Sequence, residues 1–273
     1  MPASAVLLVL AAAFLHAGWN LHVAGRDDTA AATATAFLAG TVLLLPIAVA
    51  TWDVDAAAIP FMVVSAALEL VYLALLAAAY GRSELTVVYP VARGSAPVLV
   101  LLAAAIVGGG ASGLQAVGVI VVGAGVALVR GLGAGARSAD VLAGLAIGVV
   151  IASYTVVDDH GLDHAAALPY LLVVVGVPAV VYAAAVLPRR GRAAVRRELT
   201  GRALLAGVAM VGAYGLTLLA LERAPAPPVA ALRETSILIA VAWAALRMRE
   251  PVGVRRAAGA SLVVAGVALV TLG

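Results

Sequence analysis

The chain has 273 residues, of which 64% are hydrophobic and 11% charged, with a net charge of +3. That is about half the charge of an ordinary soluble domain, too little polar surface to enclose so apolar an interior, so a water-soluble fold is excluded. There is no cysteine and all seventeen basic residues are arginine, which removes disulfides, thiolate chemistry and lysine Schiff bases, and arginines scattered over short loops do not form a nucleic-acid footprint.

Apolar runs of about 17–23 residues recur between brief polar breaks, each long enough to cross about 30 Å of hydrocarbon and none alternating as a barrel strand would. They predict ten membrane helices, near residues 3–23, 30–51, 59–79, 86–107, 113–130, 140–157, 166–187, 202–221, 226–247 and 253–272. The first resembles a secretory leader in length, but it lacks a basic start and carries His16, Trp19 and Asn20 where small cleavage-site residues belong, so it reads as a retained helix. His16 and Asn20, four apart, share one face, suited either to a polar solute or to a hydrogen bond with an adjacent helix.

Glu69 stands in the middle of the third span. An intramembrane carboxylate is a default candidate for proton uptake and coupling; the alternative is an ion pair with Arg93 or a hydrogen bond to a tyrosine. The fourth span holds Arg93 between Pro90 and Pro97, and the ninth holds Arg233 after Pro225, Pro227 and Pro228. Each arginine lies about eight residues, roughly 12 Å, inside its span, where a charge costs at least about 3 kcal/mol unless it meets a partner or a wet cavity. The pair either lines a solute pathway or ties helices together through carbonyls and Glu234. Proline favours the pathway, because it frees carbonyls that a cavity or a neighbouring helix must satisfy. In the sixth span Tyr154 and Thr155 precede an acidic run, Asp158-Asp159-His160, assigned to the following loop. The linker Pro188–Glu198 is strongly basic and reads as a surface segment drawn to anionic lipid heads.

The sequence repeats itself. Gly125-Val-Ala-Leu-Val129 returns as Gly266-Val-Ala-Leu-Val270, a shift of 141; at nearly the same shift Tyr72 aligns with Tyr214 and Arg93 with Arg233, and more weakly Trp19 with Tyr154. The halves are residues 1–130 and 139–273, joined by a glycine-rich connector at 131–138. Five spans in each half is an odd number, so the second half enters the membrane reversed: two inverted five-helix repeats, an arrangement that places a binding site near the bilayer midplane. Arg26, Arg82, Arg130, Arg137, the six arginines at 189–202, and Arg247, Arg249, Arg255 and Arg256 all fall in odd-numbered loops, whereas the even loops carry only Arg223. Odd loops are therefore assigned to the cytoplasm and both termini to the outside. The small-residue sets around Gly118 and Gly259 read as close helix contacts. No nucleotide loop, metal-ligand cluster or nucleophile constellation is present in the sequence, so neither cofactor nor metal is expected, and a membrane-embedded enzyme is disfavoured.

His16-Ala-Gly-Trp-Asn20, Tyr89-Pro-Val-Ala-Arg-Gly-Ser-Ala-Pro97, Tyr154-Thr-Val-Val-Asp158 and Val229-Ala-Ala-Leu-Arg-Glu-Thr-Ser236 resemble the EamA-like branch of the drug/metabolite transporter superfamily. The resemblance implies an all-α integral membrane protein with two EamA repeats and a central cavity faced by Trp19, Tyr72, Arg93, Tyr154, Tyr214 and Arg233. The acidic residue that often follows the fourth span of such repeats is matched by Glu250 in the second half but not by Val107–Ser112 in the first. Cytosolic termini, common in the family, are opposed by the arginine distribution. The expected function is secondary-active transport in a bacterial inner membrane by alternating access. The cargo would be a small polar or amphipathic metabolite, anionic or zwitterionic, moving outward with membrane lipids around it and a proton as possible partner. A lipophilic-cation exporter and a non-transporting scaffold are the alternatives.

Overall fold

The computed structural model describes residues 1–24, 26–82, 85–107, 111–130, 137–247 and 253–273. Most of the 131–138 connector, the glycines at 108–110, Arg249 and Glu250 lie outside the described residues. Within them the chain forms eleven α-helices: α1 (Ala3–Ala24), α2 (Thr29–Ala50), α3 (Ile59–Arg82), α4 (Leu85–Val107), α5 (Gly113–Arg130), α6 (Ser138–Gly161), α7 (Ala167–Glu198), α8 (Gly201–Leu221), α9 (Ala226–Arg233), α10 (Thr235–Arg247) and α11 (Val254–Leu272). Seven are long and apolar enough to cross a membrane, and Val91–Val107 and Gly113–Val129 are shorter apolar helices. The protein is a multi-pass, all-helical membrane protein. Its outward flanks expose apolar side chains such as Leu43, Ile47, Val63 and Val180, as lipid rather than water requires.

Three elements depart from the predicted spans. The sixth continues one turn beyond residue 157, so Asp158 is helical and fully buried rather than in a loop. The seventh runs on to Glu198, but only across a break at Gly191, whose φ of 78° is open to glycine and strained for other residues. The ninth is two helices. At Glu234 the backbone shifts to i→i−3 bonds, Glu234 N–H to Ala231 O at 3.1 Å and Ile237 N–H to Glu234 O at 3.0 Å, and the Thr235 hydroxyl takes the Leu232 carbonyl at 2.9 Å.

Two pairs of helices that the sequence repeat relates, α5 with α11 and α2 with α7, pack against each other and run antiparallel. On α5 and α11 a Cβ added to Gly118 would stand 2.7 Å from Gly266 O, and one added to Gly266 2.7 Å from Gly118 O; Gly125 and Gly259 meet in the same reciprocal way at 2.8 and 2.7 Å. On α2 and α7 the antiparallel order shows at the ends. Arg26 Nε binds Glu198 at 2.9 Å and Arg190 approaches Asp28 at 3.4 Å at one end. At the other end Val54 and Ala165 form an isolated antiparallel bridge, with Asp55 N–H to His164 O and Ala166 N–H to Asp53 O both at 2.9 Å. Odd-numbered loops one and seven thus meet each other, as do even loops two and six. Other contacts are matched too: α1 packs on α8 as α3 packs on α6, and α4 packs on α6 as α9 and α10 pack on α1.

The glycine seam yields the first expected result. Gly118→Ala or Gly259→Ala forces backbone from backbone and lowers stability in detergent by about 1–3 kcal/mol, read from denaturant unfolding. Because Gly118 and Gly266 share one approach, the double alanine variant costs less than the two single variants together. Additive costs would mean the seam is not a shared contact.

Candidate functional site

Helical spacing assembles the site from short stripes. On α3, Ser65, Glu69 and Tyr72 follow one another at intervals of four and three and occupy one face; on α6, Tyr154 and Asp158 are four apart and do the same. α8 adds Tyr214 and α7 adds Tyr170 near its start. These side chains converge on the Asp158 carboxylate. Ser65 Oγ donates to Oδ1 at 2.5 Å, the Tyr170 hydroxyl to the same oxygen at 3.1 Å, and the Tyr214 hydroxyl to Oδ2 at 2.5 Å. Ser65, Asp158 and Tyr170 are fully buried. Three hydroxyl donors on one carboxylate suit its ionised form, which only accepts.

Glu69, 8% exposed, sits beside the Tyr214 hydroxyl and within electrostatic reach of Asp158 and Arg233. Tyr154 packs edge-on to Tyr72 at 6.4 Å between ring centres and tilted against Tyr214 at 6.0 Å, so three tyrosines from α3, α6 and α8 form a continuous aromatic wall. Tyr154 lies within reach of both carboxylates and both arginines.

The second group of charges comes from the broken ninth span and from α4. Arg93 and Arg233 are buried, and Glu234 is entirely so. Arg93 Nε stands 3.2 Å from Glu234 Oε2, so Glu234 is a carboxylate that answers Arg93. Arg233 Nε has no hydrogen-bond acceptor among the described residues. His16 is within electrostatic reach of Arg93 and Arg233 and packs edge-on to Trp19 at 5.3 Å. The Trp19 indole N–H is buried without an acceptor among the described residues. Asn20 turns its amide back to its own helix, donating to His16 O at 2.8 Å.

The structure thus gathers His16, Glu69, Tyr72, Arg93, Tyr154, Tyr214 and Arg233 in one interior region, with Trp19 against His16 and Asn20 engaged on its own helix. Asp158, Ser65 and Tyr170 join them without having been singled out as site residues. A signal for Asp158 was available, since it continues the Tyr154 face by one helical turn. Three carboxylates, two guanidiniums and an imidazole form a mixed-sign interior, able to hold opposite charges of one small molecule or to exchange a proton against it.

The family model for the EamA-like transporter family matches residues 138–272. No curated protein matches the chain. Twenty-nine chains of solved structures match. One crystal structure aligns over 100% of this chain and 98% of its own length with a TM-score of 0.77 at 18% identity, so the two share a fold.

Proposed function

We propose that this membrane protein of the EamA-like transporter family is a secondary-active transporter of a small zwitterionic or anionic solute, most simply an exporter in a bacterial inner membrane, working by alternating access between two inverted five-helix repeats. The observation that carries the reading is the mixed-sign interior. Arg233 keeps an Nε–H without an acceptor among the described residues, while Glu69 lies within its electrostatic reach beside Tyr214. A solute carboxylate would lie on Arg233 and a solute ammonium toward Glu69, with the tyrosine wall covering the carbon skeleton between them. Arg93, already matched by Glu234, would open to the solute only if that pair parted. Glu69 would exchange a proton for the solute's positive group, which couples transport to the proton gradient.

The inverted arrangement is supported by the antiparallel packing of α5 on α11 and of α2 on α7 and by the matched pairings of the other helices. Counting α9 and α10 as one interrupted span gives ten spans, and interrupted spans are where such transporters present backbone to solute. The meeting of loop one with loop seven, and of loop two with loop six, supports one face for the arginine-bearing loops, assigned to the cytoplasm.

A specific observation favours one second reading. The Tyr72–Tyr154–Tyr214 wall beside Glu69 and Asp158 also suits a lipophilic cation, through cation–π contact and carboxylate attraction. Counterflow of candidate amino-acid-like solutes in proteoliposomes separates the two. For a zwitterion, Arg233→Ala and Glu69→Gln each lower transport by about tenfold or more, as expected when a charged partner is lost. For a lipophilic cation Arg233→Ala leaves transport intact and only Glu69→Gln lowers it. If both variants transport zwitterions at the parent rate, the site assignment fails. A pH profile unchanged in Glu69→Gln dismisses proton coupling.

A further inference from the structure

The basic end of α7 contains a site that the transport reading does not use. The helix breaks at Gly191, and the elbow closes one side of a surface cavity of about 700 Å³ between α2 and α7. Its walls are of two kinds: Leu38, Val180, Ala183 and Leu187 are apolar, and Arg192 and Arg196 come from the segment beyond the break. Val180 is 57% exposed, so the apolar wall continues onto the lipid-facing flank of α7.

The arginines of this segment divide by what they touch. Arg190 pairs with Asp28. Arg189 folds back to the Ala185 carbonyl, and Arg197 to the Ala193 carbonyl at 3.4 Å. Arg26, whose pKa is raised by its hydrogen bond to Glu198, occupies the segment's one carboxylate. Arg192 and Arg196 have no carboxylate partner among the described residues, and both line the cavity. Two guanidiniums one helical turn apart at the mouth of an apolar trough match a phosphodiester with an acyl chain attached. We infer that the elbow of α7 is a discrete binding site for an anionic phospholipid, with its phosphate on Arg192 and Arg196 and one acyl chain along Leu38, Val180, Ala183 and Leu187.

Diffuse attraction of a polybasic segment to a charged surface would use all its arginines alike, about equally per charge. A discrete site would not, and this distinguishes the two. The test is native mass spectrometry of the full chain, released from detergent with titrated phosphatidylglycerol, phosphatidylcholine or inorganic phosphate. The parent protein should retain phosphatidylglycerol in preference to phosphatidylcholine. Arg192→Gln/Arg196→Gln should bind it roughly thirtyfold more weakly, whereas Arg189→Gln/Arg197→Gln, with the same loss of charge, should bind it as the parent does. Ala184→Trp places bulk on an exposed position of the cavity wall and should reduce retention without touching a charge. Equal weakening in the two double variants would overturn the site in favour of surface charge. Competition by inorganic phosphate at equal concentration would also overturn it, because the acyl groove would then contribute nothing. Arg192 and Arg196 are exposed, so their replacement leaves the folded chain available for measurement, and unchanged lipid retention in that variant would end the proposal.

Discussion

Replacing Glu234 with leucine destabilises the protein by about 3–5 kcal/mol, whereas the double variant Arg93→Met/Glu234→Leu recovers most of that loss. Glu234 is 0% exposed and Arg93 7% exposed, and their charges meet at 3.2 Å. The single variant therefore removes the carboxylate that faces a buried guanidinium. Removing both partners eliminates the desolvation penalty together with the attraction, and two flexible apolar side chains occupy much of the vacated volume. Denaturant unfolding in one detergent, on the single and double variants, measures the difference. If the double variant is as unstable as the single, the loss comes from the tightened turn at Glu234 and not from the stranded charge. A stable double variant that no longer transports would separate the two roles of the pair, leaving function as the reason for a buried charge between α4 and the α9–α10 break.

Asp158→Ala is the second large effect. It withdraws the acceptor from Ser65, Tyr170 and Tyr214 at once, and each buried hydroxyl left without a partner costs about 1–3 kcal/mol. The expected loss is about 3 kcal/mol or more, with the Tyr170 end of α7 loosened first because the hydrogen bond that ties it to α6 is gone. Asp158→Asn keeps one acceptor oxygen, and hydroxyls can rotate to accept from the amide, so its cost stays near about 1–2 kcal/mol. Hydrogen exchange on peptides spanning residues 166–175 reads the loosening directly. Equal destabilisation by alanine and asparagine would show that the carboxylate's charge matters and its acceptor role does not, because asparagine keeps both its volume and one acceptor oxygen.

The helices were legible because lipid imposes a length and an apolar composition on every span, and those constraints act locally. The reciprocal glycines of α5 and α11 were legible as a repeated stripe, and the inner position of Arg93 and Arg233 followed from counting residues into a span. The missed features depend on distant parts of the chain. Asp158-Asp159-His160 reads as a loop to any local rule, and the helix continues through it because hydroxyls from α3, α7 and α8 accommodate the charge. The interruption at Glu234 likewise has no local signal as strong as a glycine or an internal proline; it follows from Thr235 taking the Leu232 carbonyl and from the placement of Glu234 against Arg93.

The two ends of the α2–α7 pair are fastened by different forces, and they respond differently to the medium. The Arg26–Glu198 and Arg190–Asp28 end is held by charges at or near the surface, which salt screens as the Debye length falls from about 8 Å at physiological ionic strength to about 3 Å at 1 M. The Val54–Ala165 end is held by short backbone hydrogen bonds, on which salt has little hold. Raising ionic strength therefore loosens this helix pair from its basic end, while the acidic end keeps its fastening whatever the salt.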